Sequence, residues 1–246
     1  MTERAPVLAA QGLTRAFASG HQTVSVLERL DLSLAAGQSL ALIGRSGSGK
    51  STLLNLLCGM DSADAGTITV LGERFEAGDG EPAHVRHRRW AALRRQRIGV
   101  VFQDANLMPA LTLLQNVRLR AQLAGQPLAP CRDWLERLGL AAEADRYPDQ
   151  VSGGQRQRAA LAMSFAMTPA LILADEPTGS LDRHTADEVA TLLFDTLARS
   201  PAGARGTTGA ALILATHDPE LAARCDRIMD LGHRASAGRA STDTSS

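Results

Sequence analysis

The segment from Gly44 to Thr52 concentrates glycines, hydroxyls and one lysine, the residue types that bind phosphates. It fits the pattern G-x-x-x-x-G-K-[ST] without a mismatch, and it stands between an apolar run ending at Ile43 and an apolar helical pattern. Glycines permit a tight turn that aims backbone N–H groups at phosphates, Lys50 can reach the β- and γ-phosphates, and Ser51 can place its hydroxyl on Mg²⁺. The sequence therefore predicts a nucleoside triphosphate site made of Gly44, Arg45, Ser46, Gly47, Ser48, Gly49, Lys50, Ser51 and Thr52.

Two neighbouring carboxylates follow a second apolar run, Leu171 to Ala174. Asp175 is placed to hold Mg²⁺ through water or through Ser51. Glu176 comes one residue later, where its carboxylate could orient or deprotonate an attacking water. An Asp-Glu pair after a strand is more often a solvated loop, but the phosphate-binding pattern upstream favours hydrolysis of the triphosphate.

A third segment, Val151 to Gln155, opens a helix with the residues Val-Ser-Gly-Gly-Gln. A serine and two glycines at a helix N-terminus form a second anion-binding end in the same chain. Here the sequence resembles the ABC ATPase family, whose signature is Leu-Ser-Gly-Gly-Gln, with only the first residue changed. The resemblance continues in Gln103 as the Q-loop glutamine, in residues 180–182 as the D-loop and in His217 as the H-loop histidine.

The resemblance implies a role for each matching residue. Catalytic roles fall to Lys50, Gln103, Glu176 and His217, and Mg²⁺ ligation falls to Ser51, Gln103 and Asp175. Outside the phosphate-binding segment, contacts to ATP fall to Phe17, Gln103, Ser152, Gly153, Gly154, Gln155 and Asp182. Phe17 stands where the family places an aromatic residue, usually Tyr, that stacks on adenine, and Phe retains the π-face. An ordinary core phenylalanine is the competing interpretation of that residue.

The family also implies a second copy of the chain. Two such domains pair head to tail, and each ATP lies between the phosphate loop of one chain and Ser152 to Gly154 of the other. This chain contains one of each motif, so a complete site would need two chains, with hydrolysis releasing the pair.

Within the family, residues 7–231 are most similar to the LolD/MacB/FtsE group. Two departures are Ser180 in place of the usual Asn, and residues 230–234 in place of a C-terminal Asp-Gly-Arg-Ile strand, which puts a C-terminal regulatory role in doubt. The group implies an inner-membrane permease of the MacB/LolCE type that exports or extracts lipoproteins, peptides or other amphiphiles. This chain would be peripheral on its cytoplasmic face, gripping the permease's coupling helix through residues 104–123. The alternative is an FtsE-like force-transmitting or regulatory ATPase without a transported substrate.

These motifs require a scaffold in which short apolar strands alternate with helices, as in α/β folds. The patterns predict strands at Ser39–Ile43, Ile98–Phe102, Leu171–Ala174 and Ala211–Ala215, and helices at Lys50–Leu57, Gln155–Ala166 and Arg183–Ala198. From Thr112 to Leu138 the pattern is helical, with a break at Gly125 and residues 127–130. We expect an α/β P-loop ABC ATPase core with a mainly parallel sheet, to which the resemblance adds an N-terminal antiparallel β subdomain. One domain would span residues 1–231, with a helical subdomain inserted at 104–167. The composition of residues 232–246 predicts that they form a disordered tail.

Residues 84–97 carry six arginines around Trp90 and Leu93. One interpretation is a basic face for anionic lipid headgroups or a permease loop. The other is an exposed helix that covers the sheet edge with Trp90 and Leu93, the more usual meaning of a charge run.

Composition limits the remaining possibilities. Lys plus Arg and Asp plus Glu number 26 each, so no net charge draws the chain to nucleic acid, and we expect no such partner. Cys58, Cys131 and Cys225 are far apart in the chain, which predicts reduced, partly buried thiols in a cytosolic protein. No run approaches the roughly 18–20 apolar residues of a membrane span, so a membrane role would come through a partner.

Overall fold

The computed structural model describes residues 6–20, 22–199 and 209–232. The strands in these residues are β1 (Leu8–Ser19), β2 (Gln22–Leu34), β3 (Ser39–Ile43), β4 (Ala65–Val70), β5 (Glu73–Glu76), β6 (Ile98–Val101), β7 (Leu171–Asp175), β8 (Ala211–Ala215) and β9 (Arg227–Asp230). The helices are α1 (Lys50–Leu57), α2 (Ala83–Gln96), α3 (Leu113–Leu123), α4 (Cys131–Arg137), α5 (Gly153–Ala166), α6 (Arg183–Arg199) and α7 (Pro219–Ala223), with a 3₁₀ turn at Pro148–Gln150.

A five-stranded sheet forms the centre of the molecule, in the order β6-β7-β8-β3-β9, and all of its pairings are parallel. Four of its strands, β3, β6, β7 and β8, are those predicted from the sequence, and the predicted bounds agree with the observed ones to within one residue. The strand β9 is not foreseen, because two of its four residues are exposed and it lacks the apolar run of a buried strand. Since the strands are parallel, their carboxyl ends meet at one edge, where the motif residues follow.

A second sheet, in the order β2-β1-β4-β5, is antiparallel throughout. It confirms the antiparallel β subdomain that was expected on resemblance alone. Because β1 and β2 pair antiparallel as far as Ser19 and Gln22, the side chains at this end of the two strands are in register, with Phe17 opposite Val24.

Alternation along the parallel strands divides the apolar residues between two cores. Leu40 and Leu42 face a core shared with α1, α2 and the antiparallel sheet. Ala41 and Leu214 face the opposite core, which is shared with α3 to α6. Since burial of one leucine side chain contributes about 1.5–3 kcal/mol, both faces hold the sheet firmly in place. The carboxyl ends of the strands are therefore fixed from two sides.

The helices α3, α4 and α5 occupy the segment between the adjacent strands β6 and β7, where a helical subdomain is expected. α5 packs against α3 and α4. The predicted helix break lies between Leu123 and Cys131, which end α3 and begin α4. The buried apolar residues of α3, α4 and α5 belong to the same core as Ala41 and Leu214 of the parallel sheet.

The arginine-rich helix α2 is held against the sheets by buried Trp90 and Leu93, and Trp90 stacks on Phe75 with the ring centroids 3.9 Å apart. Arg86 and Arg89 form ion pairs within the chain, and Arg94 donates to the backbone carbonyls at the end of α1. The acidic partners of the two ion-paired arginines are Glu73, Asp79 and Glu81. These contacts favour the interpretation of α2 as an exposed helix that covers the sheet edge.

All three cysteines are free and buried, as expected. The predicted tail lies outside the described residues except for Gly232. Over the described ranges, none of the helices combines the length and the apolar character needed to cross a membrane.

Candidate functional site

The phosphate loop runs from the end of β3 to the start of α1, and two of its three glycines are required by close contacts. Gly44 has φ 146°, and a Cβ there would lie 2.6 Å from the Ser48 Oγ. Gly49 has φ 95°, and a Cβ there would lie 2.9 Å from the Val26 side chain. Gly49 is also the N-cap of α1 and supplies no side-chain cap, so the first N–H groups of the helix are left for an anion.

Lys50 folds back over this loop. Its Nζ donates to the Gly44 carbonyl at 2.7 Å and lies 3.4 Å from the Arg45 carbonyl. The buried Ser48 hydroxyl has no hydrogen-bond partner among the described residues. A lysine resting on carbonyls and an unpaired buried hydroxyl both fit a loop built to receive phosphate oxygens.

A cleft of about 770 Å³ opens above the loop and brings most of the predicted site residues together. Those that line it are Phe17, Gly44, Ser46, Gly47, Ser48, Gly49, Lys50, Ser51, Thr52, Gln103, Asp175, Glu176 and His217. Those that do not line it are Arg45, Ser152, Gly153, Gly154, Gln155 and Asp182. Arg45 contributes its carbonyl to the loop and is exposed.

Phe17 lines the cleft at the end of the β1–β2 hairpin, and 40% of the residue is exposed. Its cross-strand partner Val24 is 47% exposed, and Val26 lines the cleft beside it. The ring is therefore an open apolar platform rather than a core residue. Sequence reasoning missed the two valines, although their period of two along a strand facing the loop is a usable signal.

At the far wall, Asp175 ends β7 and Glu176 follows it with φ 48°. The Glu176 N–H donates to the Ala215 carbonyl of β8 at 2.9 Å, and its carboxylate is 15% exposed. The Glu176 Oε2 lies 2.9 Å from the His217 Nδ1. Since a carboxylate can only accept, the imidazole donates from Nδ1 and leaves Nε2 for another partner.

His217 is positioned by the residues on either side of it. The buried Thr216 donates its N–H to the Leu42 carbonyl of β3, and its hydroxyl accepts from the Asp218 N–H at 3.0 Å. Asp218 in turn caps α7 by accepting from the N–H groups of Glu220 and Leu221. His217 thus lies on a turn between β8 and α7 that is held by hydrogen bonds of Thr216 and Asp218. Its side chain lines the cleft and is largely exposed.

Gln103 follows β6 and is anchored through its neighbour. The buried Gln157 of α5 donates from Nε2 to the Phe102 carbonyl at 3.1 Å. This residue is a further site component that sequence reasoning missed. Its signal is a glutamine on the mostly apolar inner face of α5, where Ser164 is the other buried polar residue.

The signature end, defined as Ser152, Gly153, Gly154 and Gln155 at the N-terminus of α5, is a closed capping box. The Ser152 Oγ accepts from the Gln155 N–H at 3.2 Å, and the Gln155 Oε1 accepts from the Ser152 N–H at 2.8 Å. A Cβ on Gly153 would meet no atom closer than 3.8 Å, so the space next to Gly153 is open. None of its four residues lines the cleft of its own chain.

The signature end touches the D-loop of the same chain. A Cβ on Gly154 would lie 3.0 Å from the Leu181 side chain. Asp182 caps α6 by accepting from the Thr185 N–H at 3.1 Å, and hydrogen bonds from Thr185 lower the pKa of the Asp182 carboxyl. Asp182 therefore belongs with the signature end rather than with the cleft.

The oxygen donors for a metal ion are few. In the described part of the chain, no group of three His, Cys, Asp or Glu side chains comes together as a metal site. Ser51, Gln103 and Asp175 all line the cleft and offer a hydroxyl, an amide and one carboxylate oxygen. Such a set suits a hard cation that also takes phosphate oxygens and water.

Comparison with known proteins gives consistent matches over most of the chain. Residues 27–179 match the family model described as ABC transporter. The uncharacterized ABC transporter ATP-binding protein YbbA of Escherichia coli (strain K12) is 43% identical over 223 residues, which cover 89% of this chain and 91% of that protein. The lipoprotein-releasing system ATP-binding protein LolD of Bordetella pertussis (strain Tohama I) is 41% identical over 227 residues, which cover 90% and 91%.

Among solved structures, this chain is similar to the ATP-binding cassette MJ0796 in a dimeric post-hydrolysis state bound to ADP and Pi. The TM-score is 0.79 at 30% sequence identity, and the match covers 92% of this chain and 94% of that one.

Proposed function

This chain belongs to the ABC transporter family of ATP-binding proteins, and we propose that it acts as one half of an ATP-driven dimer on an inner-membrane permease. As a member of that family it is a nucleotide-binding, ATP-hydrolysing subunit. The separation of the two anion-binding helix ends carries the dimer proposal. The phosphate loop lines the cleft, whereas no residue of the signature end does, and the space next to Gly153 is open.

In this proposal Ser51, Gln103 and Asp175 hold Mg²⁺ together with phosphate oxygens of ATP and water. When bound, the ion would neutralise charge on the β- and γ-phosphates. Lys50 would turn from the Gly44 carbonyl to the same phosphates, since a phosphate oxygen is a stronger acceptor for an ammonium than a carbonyl.

Glu176 would act on the attacking water, as orienting group or general base. Its carboxylate receives the Nδ1–H of His217, which leaves the Nε2 of that ring to face the γ-phosphate. Phe17, beside Val26, would take the adenine ring against its open face.

The second anion site would be completed in trans. Ser152, Gly153 and Gly154 of one copy would present the N-terminus of α5 to the γ-phosphate bound by the other copy. Because Gly154 packs on Leu181, the signature end and Asp182 would approach the partner's nucleotide as one unit. ATP would then be part of the interface, and its hydrolysis would weaken the pair.

A permease of the MacB/LolCE type is the proposed membrane partner, at the cytoplasmic face of the inner membrane. A groove of about 440 Å³ lies between the end of α2 and the segment after Gln103. Met60 and Leu123 line it and are 51% and 50% exposed. These side chains suit an apolar coupling helix. The lipoprotein-releasing name of the LolD relative supports an amphiphile, such as a lipoprotein or peptide, as the moved substrate.

The site assignment is tested by Mg²⁺-dependent ATP hydrolysis of Glu176→Gln. We expect kcat to fall by about 10²–10⁴-fold, because the amide cannot accept a proton from water, while ATP still raises the thermal unfolding temperature. Lys50→Ala should lose that ATP-induced rise as well. Glu220→Gln, an exposed glutamate outside the cleft, is the matched control and should hydrolyse ATP at the wild-type rate. Wild-type turnover by Glu176→Gln would refute the assignment.

A further inference from the structure

Arg15 is held rigidly beside the adenine platform by two carboxylates that the site assignment does not use. Its Nε and Nη2 donate to the two oxygens of Asp61 at 3.1 and 2.9 Å. Its Nη1 donates to Asp64 at 2.8 Å. Every nitrogen of the guanidinium is therefore bonded, and the plane of the group is fixed.

The same carboxylates tie down the strand that carries Phe17. Asp64 accepts the Ala16 N–H at 2.7 Å, and this bond is the main cause of the lowered pKa of its carboxyl. The Asp64 N–H donates to the Thr14 carbonyl. The register of β1 against β2 shifts on both sides of Arg15, so the strand is bulged at this point, and bulges re-aim the side chains around them.

The fixed guanidinium covers the Phe17 ring. The Arg15 Cζ lies 4.5 Å from the ring centroid, within the range of a cation–π contact. Phe17 lines the cleft, whereas Arg15 does not and is only 20% exposed. The cation thus covers one face of a ring that itself contributes to the wall of the cleft.

We propose that Arg15, clamped by Asp61 and Asp64, is a positioning residue that holds Phe17 as a preformed platform for the adenine base. The inference rests on the proposed stacking of adenine on Phe17. Its physical basis is pre-organisation: a ring held from behind loses less conformational freedom when the base stacks on it. The cation also draws electron density toward its own side of the ring, which favours an electron-rich base on the other.

The experiment compares ATP with inorganic tripolyphosphate, which has the phosphates but no base. Arg15→Met keeps the apolar stem and removes the charge and its three hydrogen bonds. We expect KM for ATP to rise about fivefold, with kcat within about twofold of wild type and an unchanged inhibition constant for tripolyphosphate. Arg74→Met removes an exposed ion pair of the same sheet away from the cleft, and it should change none of the three values.

A double-mutant cycle with Phe17→Ala gives the second measurement. If Arg15 acts through the ring, Arg15→Met should raise KM no further in the Phe17→Ala background. An unchanged KM in Arg15→Met, a tripolyphosphate constant that rises in parallel, or additive effects of the two substitutions would overturn the proposal.

Two checks keep the outcome clear. Should Arg15→Met unfold, Arg15→Lys keeps the charge without the fork on Asp61 and should raise KM by a smaller factor, whereas an unchanged KM would refute the proposal. A wild-type chain that hydrolyses no ATP would instead refute the proposed function, and this result is distinct from any outcome of the Arg15 series.

Discussion

Glu176 adopts a left-handed backbone conformation, φ 48°, that residues with a side chain seldom take. Such a conformation costs about 1–3 kcal/mol and persists only where the surroundings enforce it. Here the N–H is bonded to Ala215 and the carboxylate to His217, so both ends of the residue are fixed. The strain places the carboxylate in the cleft rather than along the line of β7.

The burial of the three cysteines leads to a prediction about the reactivity of their thiols. Burial raises the pKa of Cys58 and of Cys225 to about 11, and it raises the pKa of Cys131 as well. Because only the thiolate reacts readily, none of the three should react with Ellman's reagent within minutes at pH 8, and all three should react in urea. Met60→Cys, at a position that is 51% exposed, should react at once in the native protein. Rapid reaction of a wild-type cysteine in the native protein would contradict this account.

The same shifts set a pH window for stability. The folded pKa of Cys58 is about 11 against an ordinary 9.0, so the neutral thiol is favoured in the folded state. The contribution of Cys58 to the free energy of unfolding is therefore complete below pH 9.0, and it is lost as the pH rises toward 11.

Individual site residues differ in how far the sequence predicts them. The phosphate loop is predictable because Gly44, Gly47 and Gly49 all have a positive φ, which favours glycine at fixed positions. Gln157 and Arg15 are not, because only the folded chain brings the Phe102 carbonyl near Gln157 and the carboxylates of Asp61 and Asp64 near Arg15. Whether the signature end and Asp182 contact nucleotide remains a prediction, since neither lines the cleft of a single chain.

At the scale of elements, a single buried amide organises the loop between β6 and α3. Asn116 of α3 accepts the Met108 N–H at 2.7 Å and donates to three backbone carbonyls. Those carbonyls belong to Met108, Leu111 and Thr112. The second half of the loop that follows Gln103 is therefore held to α3.

Asn116→Ala should lower the free energy of unfolding by about 1–3 kcal/mol, because it removes the partner of the Met108 N–H and of the Leu111 carbonyl, both of them partly buried. Urea unfolding measures the loss. Gln122→Ala, at an exposed position of the same helix, should change stability by less than about 0.5 kcal/mol. Equal effects of the two substitutions would show that the amide does not hold the loop.

Elements are predictable where a buried strand or a helix with a buried apolar face leaves a strong pattern, as for β3, β8 and α1. The start of α5 was placed two residues late, because Gly153 and Gly154 are poor helix formers and only the capping box of Ser152 and Gln155 begins the helix there. The exposed strand β9 left no apolar pattern at all.

For the whole molecule, the parallel sheet between two cores holds the cleft and the signature end on one rigid frame, but it does not bring them together. Sequence motifs alone could name both halves of the site. Their separation in a single chain required the fold.

The most direct test of the dimer is the mass of Glu176→Gln in solution with saturating Mg²⁺ and ATP, measured by light scattering beside Glu176→Gln/Gly153→Asp. A side chain at Gly153 meets open space in one chain, so the double variant should fold and bind ATP like the single one. The account predicts twice the 26.0 kDa chain mass for Glu176→Gln and a single chain mass for the double variant. A monomeric Glu176→Gln, or a double variant that still dimerises with ATP, would contradict it.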